Sequence, residues 1–281
     1  MLRRTRGQIR IEVLKSVVLA LTGIIMVAPF VWMVSVSFDR YANLTPPFPP
    51  RFLPANFSLF NYKLVMENGT LLRAYLSSAI IAIGSVGVGL SSSLMGGYAF
   101  SKGKFRGRSI LLLAVLATMM IPFEVRLIPL FLMFTRVRLT NSYWPLILPN
   151  LLNGFGVLLC KQYFDTLPES LREAAKIDGA REFLIFRRIM IPLAGPIIAS
   201  AVVLMFMGSW NDFLWPLIVL TSDKLQTVPI YLSKFSLEDG TRLAGLAMAL
   251  SSASIVPVVI VFLIFQRYII QSVALSGIKG E

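Results

Sequence analysis

Six apolar runs, each long enough to cross a lipid bilayer, constrain the fold of this chain more than any other feature of its sequence. A helix needs about 20 residues to cross roughly 30 Å of hydrocarbon. The runs cover most of the 281 residues, of which 56% are hydrophobic. They lie at residues 13–38, 71–100, 109–134, 143–164, 193–220 and 243–268. The sequence therefore predicts an all-α, polytopic membrane protein with six transmembrane helices in a single domain, residues 1–281.

Basic residues set the predicted orientation, because lysines and arginines in short connections stay on the cytoplasmic side. They crowd the N-terminus, the connection after the second run and the segment 165–192. These residues are Arg3, Arg4, Arg6, Arg10, Lys15, Lys102, Lys104, Arg106, Arg108, Arg172, Lys176, Arg181, Arg187 and Arg188. The N-terminal segment 1–12 and the tail 269–281 are both predicted to be cytoplasmic. The first run is too long for a cleaved signal peptide and is expected to be retained.

The same asymmetry accounts for the net charge of +13, so that charge does not predict a nucleic-acid partner. The chain has no histidine, and its one thiol, Cys160, lies in the fourth run and is interpreted as a packing residue. An intrachain disulfide, the usual zinc sites and histidine-dependent nucleophiles are thereby excluded. The P-loop pattern is absent as well, so no cofactor, metal or catalytic residue is predicted in this chain.

A proline-rich segment, residues 39–70, joins the first two runs on the predicted outer side. Its prolines fix extended backbone and disfavour regular helix. They are Pro46, Pro47, Pro49, Pro50 and Pro54. The segment is predicted to be an ordered external loop that either receives a soluble delivery protein or caps the outer ends of the helices.

Small residues recur every four positions in the second run, which places them on one face of a helix and allows another helix to approach closely. They are Ser85, Gly89, Ser93 and Gly97. The sixth run repeats the pattern with Gly245, Ala249 and Ala253. Two interpretations remain open, namely tight packing inside one subunit and a moving interface between two subunits.

Few charges lie inside the apolar runs, and such charges are costly in a membrane. Glu124 and Arg126 lie in the third run beside two prolines that predict a distorted helix, and they either pair structurally or face a pathway. Trp210, Asn211 and Asp212 combine aromatic and polar groups in the fifth run, which suits contacts with a sugar and equally suits an aromatic belt at the membrane surface. These residues are the candidates for a translocation pathway.

The segment 165–192 is polar and lies between two apolar runs. Thr166 is predicted to cap a helix that carries Glu169 in its first turn and ends at Gly179, because glycine adopts the left-handed conformation that ends helices. A second short helix follows, so that two helices form an L-shaped knob with Glu173 and Asp178 as acceptors for basic partners. A merely solvated amphipathic loop is the alternative.

The pattern in this segment resembles the signature of importer-type ABC permeases. It comprises Glu173, Ala174 and Ala175, then Gly179 after three residues, then Ile189 through Pro192 after nine more. Ile191 stands where leucine is usual. Further resemblance to the carbohydrate-uptake branch, and to the smaller permease of maltose-type importers, comes from several short motifs. They are Leu59 to Tyr62, Tyr98-Ala99-Phe100, Trp210-Asn211-Asp212 and Gly277-Ile278-Lys279-Gly280.

This resemblance implies a permease subunit in a bacterial inner membrane, with a second homologous permease, two cytoplasmic ATPases and an extracytoplasmic solute-binding protein as partners. ATP and magnesium would bind the ATPases, and this chain would catalyse nothing. The ATPase-coupling residues implied are Glu173, Ala174, Ala175, Asp178, Gly179, Ile189 and Pro192. The tail residues Gly277, Lys279 and Gly280 are expected to reach the ATPase. The expected cargo is an oligosaccharide.

Two other functions remain open at this point. The same machinery can import glycerol phosphate or a related polyol, since selectivity in such systems resides largely in the binding protein. An ion-coupled secondary transporter is an alternative of another class, but it requires buried ionisable ligands or broken-helix repeats, for which the sequence offers only Glu124 and Asp212.

Overall fold

The structure, a computed structural model, describes residues 6–44, 51–67, 69–235 and 243–277. Apart from one isolated β-bridge between Asp39 and Phe57, the regular elements in these ranges are helical, which confirms the predicted all-α class. The α-helices are α1 (Arg6–Ser37), α2 (Phe60–Glu67), α3 (Thr70–Lys102), α4 (Arg108–Met119), α5 (Phe123–Arg136), α6 (Trp144–Ile147), α7 (Gly154–Thr166), α8 (Glu169–Ile177), α9 (Glu182–Ile185), α10 (Ile191–Leu193), α11 (Gly195–Trp210), α12 (Leu214–Val219), α13 (Val228–Phe235) and α14 (Ala244–Gly277). Short 3₁₀ turns cover Arg40–Asn43, Leu148–Leu152 and Asp223–Leu225, and a π-helical turn covers Phe186–Met190.

Three unbroken helices in the described ranges are long and apolar enough to cross a membrane. They are Arg10–Ser37, Thr70–Lys102 and Ala244–Tyr268. The count rises to five if each of two bent pairs forms one span: α4 with α5, bent by 99°, and Glu182–Leu193 with Gly195–Trp210, bent by 79°. The chain is thus a multi-helix membrane protein, and the exact number of six spans stays a prediction.

Three of the predicted spans are not continuous helices. The third is interrupted between α4 and α5, where Pro122 lacks the backbone N–H that would continue the helix. The fourth is divided into α6, a 3₁₀ turn and α7, and the 13 residues of α7 rise only about 20 Å. The fifth is interrupted between α11 and α12, at residues 211–213. The distortion expected near Pro122 is confirmed, whereas Pro129 lies inside α5.

The chain forms two compact units. The first contains the residues up to Gly69 together with Leu232–Ile255, and the second contains Thr70–Tyr231 together with the residues from Val256 onward. In the second unit, α3 packs closely against α7 through its small residues. A Cβ atom added to Gly97 would lie 2.5 Å from the Cβ of Cys160, and one added to Gly156 would lie 2.2 Å from Ser93 Oγ. Cys160 is fully buried in this contact. The small-residue face of α3 therefore serves packing inside one chain.

Connections between the helices are grouped at the two ends of the second unit. At one end, Lys102 Nζ donates to the carbonyl oxygen of Leu167 at 2.8 Å, which joins the connection after α3 to that after α7. At the other end, Asn141 Oδ1 accepts from the backbone N–H of Thr221 at 3.1 Å and of Ser222 at 2.9 Å. Connections assigned to the same side of the membrane thus lie together in this unit.

In the first unit, the buried side chain of Asn61 joins the end of α1 to α2 and to the start of α14. Its amide donates to the carbonyl oxygens of Ser37 and Asp39, each at 3.0 Å, and its oxygen accepts from Asn43 at 2.7 Å. Asn43 Oδ1 in turn accepts from the backbone N–H of Leu246 at 2.9 Å. Helix α2 was not predicted.

The assignment of the segment 39–70 to an outer loop stays a prediction, and the prolines at 46, 47, 49 and 50 lie outside the described residues. Its described residues include a 3₁₀ turn, the bridge from Asp39 to Phe57 and α2. The single-domain assignment of residues 1–281 stays a prediction.

We expect Gly97→Ala to lower the thermal unfolding midpoint in detergent, because the added methyl meets Cys160 and the backbone nitrogen of Lys161 at 2.8 Å. Overpacking of this kind costs about 1–3 kcal/mol. The matched control is Gly87→Ala in the same helix, where nothing lies within 4 Å of the added Cβ. Alanine there should be neutral or stabilise the helix by up to about 1 kcal/mol. Equal shifts for the two variants would contradict this packing argument.

Candidate functional site

The segment 165–192, here called the coupling segment, begins with α8 and a glycine-terminated helix end. Gly179 has a φ of 81°, in the left-handed region, as predicted. The Gly179 N–H donates to the carbonyl of Lys176 at 3.0 Å, and the Ala180 N–H donates to the carbonyl of Ala175 at 2.9 Å. These two bonds are the paired contacts of a Schellman motif, and they satisfy carbonyls that the helix leaves open.

The start of α8 differs from the prediction. Thr166 is the last residue of α7, and its hydroxyl donates to the carbonyl oxygen of Tyr163 at 2.7 Å instead of capping α8. Pro168 occupies the N-cap position without a side-chain bond, and Glu169 lies in the first turn as expected. The predicted capping role of Thr166 is therefore wrong, because the preceding helix continues through it.

Helix α8 has one buried and one exposed face. Arg172 and Ala175 are buried, while Glu173, Ala174 and Ile177 lie on the opposite face and are exposed. Ile177 is 87% exposed. The paired alanines thus have different roles, since one packs inward and the other faces out.

The second arm of the coupling segment comprises α9, the π-helical turn and α10. Ile185, Phe186 and Met190 are buried in a cluster that also contains Ala175. Ile189 packs against this cluster, and Pro192 is exposed in the first turn of α10. Of the predicted coupling residues, Ala175 and Ile189 therefore hold the segment to the protein. The others, including Asp178 and Gly179, are exposed.

Glu182 is the centre of a polar network beneath the coupling segment. Its Oε1 accepts from the hydroxyl of Tyr98 at 2.6 Å and from Arg172 Nε at 2.7 Å. Its Oε2 lies 3.0 Å from Lys176 Nζ. Arg172 also pairs with Glu169. Hydrogen bonds to charged groups are stronger than neutral ones, so this network fixes α8 and α9 to the end of α3.

The hydrogen-bond partners of Glu182 stabilise its ionised form. Partial burial alone would raise the pKa of Glu182, but the hydrogen bonds from Tyr98, Arg172 and Lys176 outweigh burial and lower the pKa to about 2. The ordinary pKa of glutamate is about 4.3. A depressed pKa stabilises the folded state above the unfolded value, and that contribution is lost as the pH falls toward 2. Glu182 is therefore ionised at neutral pH.

A second candidate site is an open cleft of about 1010 Å³ in the second unit. Its polar lining comprises Thr118, Arg126, Asn150, Asn153 and Asp212. Met119, Phe123, Met133 and Trp215 are among the apolar residues that complete it. The Asp212 carboxylate accepts weakly from the backbone N–H of Trp215, at 3.4 Å.

The structure does not bring the four predicted pathway residues together. Asp212 lines the cleft, but Glu124 is exposed in the first turn of α5 and does not line it. Trp210 is buried and its ring stacks on Phe206 with centroids 5.4 Å apart. Asn211 is exposed just after α11. Of the predicted tail contacts, Gly277 is the last residue of α14, and Lys279 and Gly280 lie outside the described residues.

Sequence reasoning missed several residues of these two sites. The outward direction of Ile177 has a signal, since it shares a helical face with Glu173 and Ala174 at spacings of four and three. The contact between Tyr98 and Glu182 has none, because 84 positions separate the two residues. Asn150 was also missed, although Pro149 beside it is a sequence signal for a break in the helix.

Comparison with known proteins identifies the family. A family model described as binding-protein-dependent transport system inner membrane component matches residues 87–275. The chain is 38% identical over 230 residues to the arabinooligosaccharides transport system permease protein AraQ of Halalkalibacterium halodurans, with 82% of each chain covered. It is 33% identical over 288 residues to the trehalose/maltose transport system permease protein MalG of Thermococcus litoralis, with 97% of this chain and 100% of the relative covered.

The fold is also similar to that of a solved structure. One chain in the crystal structure of a bacterial ABC transporter involved in the import of the acidic polysaccharide alginate has a similar fold. The match covers 96% of the present chain and 100% of the transporter chain. The TM-score is 0.83 at 24% identity, a level that supports the shared fold alone. Together with the family match, these similarities place the chain in the binding-protein-dependent transport system inner membrane component family, as a non-catalytic permease subunit of an ABC importer.

Proposed function

We propose that this subunit forms half of the translocation pathway for an oligosaccharide and is driven by a cytoplasmic ATPase that grips the coupling segment. Support for the cargo comes from the relatives, which are named for arabinooligosaccharides and for trehalose and maltose. Glycerol phosphate is the alternative cargo. In the complete assembly, a second homologous permease forms the other half, two ATPase subunits bind ATP and magnesium, and a solute-binding protein delivers the sugar.

The proposed topology is six spans in the bacterial inner membrane with both termini in the cytoplasm. The positive-inside rule supports it, because the basic residues after α3 and in the coupling segment lie at one end of the second unit. In this topology, each of the three interrupted spans crosses the membrane once. We also propose that the tail residues Gly277, Lys279 and Gly280 contact the ATPase.

The observation that carries the coupling proposal is the combination of an exposed outer face of α8 with a rigid attachment beneath it. Glu173, Ala174 and Ile177 offer a contact surface, and Arg172 and Glu182 tie that surface to Tyr98 of α3. Lys102 adds a second attachment, 3.4 Å from Glu169. A displacement of α8 by the ATPase is therefore passed to a membrane-crossing helix instead of being absorbed by a loose loop.

The cargo is tested by measuring ATP hydrolysis and uptake in proteoliposomes that contain the complete complex and its binding protein. An arabinooligosaccharide, maltose, trehalose and glycerol 3-phosphate are the probes. We expect one of the sugars to stimulate hydrolysis and to accumulate inside the vesicles. Stimulation by glycerol 3-phosphate alone would favour the alternative cargo.

We expect Ile177→Glu to abolish or strongly reduce binding of the ATPase. The change places a charge on the apolar surface that the ATPase is proposed to cover. Folding should be unaffected, since Ile177 is 87% exposed. The measurement is the amount of ATPase that co-purifies with the permease. Leu53→Glu is the matched control, because Leu53 is 80% exposed and lies in the segment predicted to be external. Equal ATPase binding by both variants would refute the assigned surface.

We expect Tyr98→Phe to lower the amount of sugar transported per ATP hydrolysed, with the complex still assembled. The change removes only the hydroxyl that bonds to Glu182, a bond to a charged group worth about 1.5–3 kcal/mol, and leaves the ring packed on Phe164 and Phe186. Tyr163→Phe is the control, since its hydroxyl donates to the carbonyl of Leu193 at 2.9 Å and has no part in this network. An unchanged transport ratio for Tyr98→Phe would show that the network is not on the coupling route.

A further inference from the structure

Three interrupted spans meet at the open cleft of the second unit. The cleft is lined by Met119 and Phe123, which flank the break between α4 and α5, by the 3₁₀ turn and Asn153, and by Asp212 in the break after α11. Non-helical backbone at membrane depth is tolerated only where it is buried in protein or lines a water-filled cavity. Breaks in three predicted spans that converge on one cleft therefore point to a hydrated site.

The polar groups of the cleft retain bonding capacity. Arg126 is exposed, and within the described residues its one recorded partner is the ring of Phe123, 5.9 Å from the guanidinium carbon. The side-chain oxygen of Asn153 accepts from the Gly156 N–H at 2.8 Å. Within the described residues, no acceptor bonds to its amide hydrogens. Asn150 uses its amide to donate to the carbonyl of Leu146 at 2.9 Å, and among the residues that the structure describes no donor bonds to its oxygen.

These groups fit the hydroxyls of a sugar. Guanidinium, carboxylate and amide groups present donors and acceptors in fixed planes, and apolar residues such as Met133 and Phe123 form the rest of the wall. The one positive side chain, Arg126, is balanced by the one negative side chain, Asp212, among the residues that line the cleft. An anionic cargo would face the Asp212 carboxylate without a surplus positive charge to offset it.

The size of the cleft also bears on the cargo. Small-molecule sites typically enclose about 300–1,000 Å³. The cleft is open, and its volume of about 1010 Å³ gives an oligosaccharide room to bind.

We propose that this subunit contacts the transported molecule directly through this cleft, with Arg126, Asn150 and Asp212 as the binding residues, and that the molecule is a neutral oligosaccharide. The proposal rests on the proposed function as an oligosaccharide permease and adds to it the place of contact and the charge of the cargo.

The test compares uptake by the reconstituted complex carrying Arg126→Gln with uptake by the complex carrying Arg136→Gln, a variant in the same helix whose residue is exposed and outside the cleft. The probes are a neutral arabinooligosaccharide, maltose and an oligosaccharide of galacturonic acid. We expect Arg126→Gln to lower uptake of the neutral sugar at least tenfold, with the second permease and the ATPase still bound, and Arg136→Gln to transport as the wild type does. Unchanged uptake by Arg126→Gln would overturn the proposal, as would preferred uptake of the acidic sugar by the wild type.

A labelling experiment separates cargo contact from a structural role. Leu152 lines the cleft and is 87% exposed, and the native Cys160 is fully buried. We expect a neutral oligosaccharide to slow thiol labelling of Leu152→Cys at least threefold during ATP turnover, and to leave the labelling of Arg136→Cys unchanged. Equal protection of the two positions would contradict a site in the cleft. So would loss of the second permease from Arg126→Gln, since the cleft would then be a subunit interface. The proposed function itself fails only if no sugar stimulates the wild-type complex.

Discussion

The close approach of α3 to α7 is the contact on which the second unit depends. Because Gly97 lacks a side chain, the backbone of α7 at Cys160 and Lys161 comes within reach of van der Waals contact. The end of α3 is then near enough to the coupling segment for Tyr98 to bond to Glu182 and to pack between Phe164 and Phe186. A wider spacing of the two helices would separate α3 from the coupling segment.

The sequence allowed prediction of the helical class, the apolar elements and the end of α8, because each follows from local rules. Apolar length identified α1, α3 and α14, and glycine identified the left-handed residue at 179. The breaks inside the third, fourth and fifth spans were harder to predict from the sequence. A hydropathy average does not distinguish one continuous helix from two short helices at 99°, since the break after α4 is itself apolar. Proline gave the local signal where there was one, at Pro122 between α4 and α5 and at Pro149 in the 3₁₀ turn of the fourth run.

The two candidate sites were likewise predictable only where local rules apply. The exposed face of α8 follows from helical periodicity, and the spacing around Glu173 and Gly179 led to the correct family. The network at Glu182 joins α3, α8 and α9, so no single stretch of sequence contains it. The pathway residues were chosen for their chemistry alone, which cannot indicate that Trp210 packs inward while Arg126 and Asn150 line the cleft.

The contact between Asn43 and Leu246 has a consequence for biogenesis. Its partners are 203 residues apart, and both belong to the first unit, which combines the start of the chain with the beginning of the last long helix. The hydrogen bond from Leu246 to Asn43 therefore cannot form until nearly all of the polypeptide has been synthesised and inserted. Long-range closures of this kind form late and are slow. A chain that ends before the final helix therefore lacks the bond that joins the 3₁₀ turn after α1 to the start of α14.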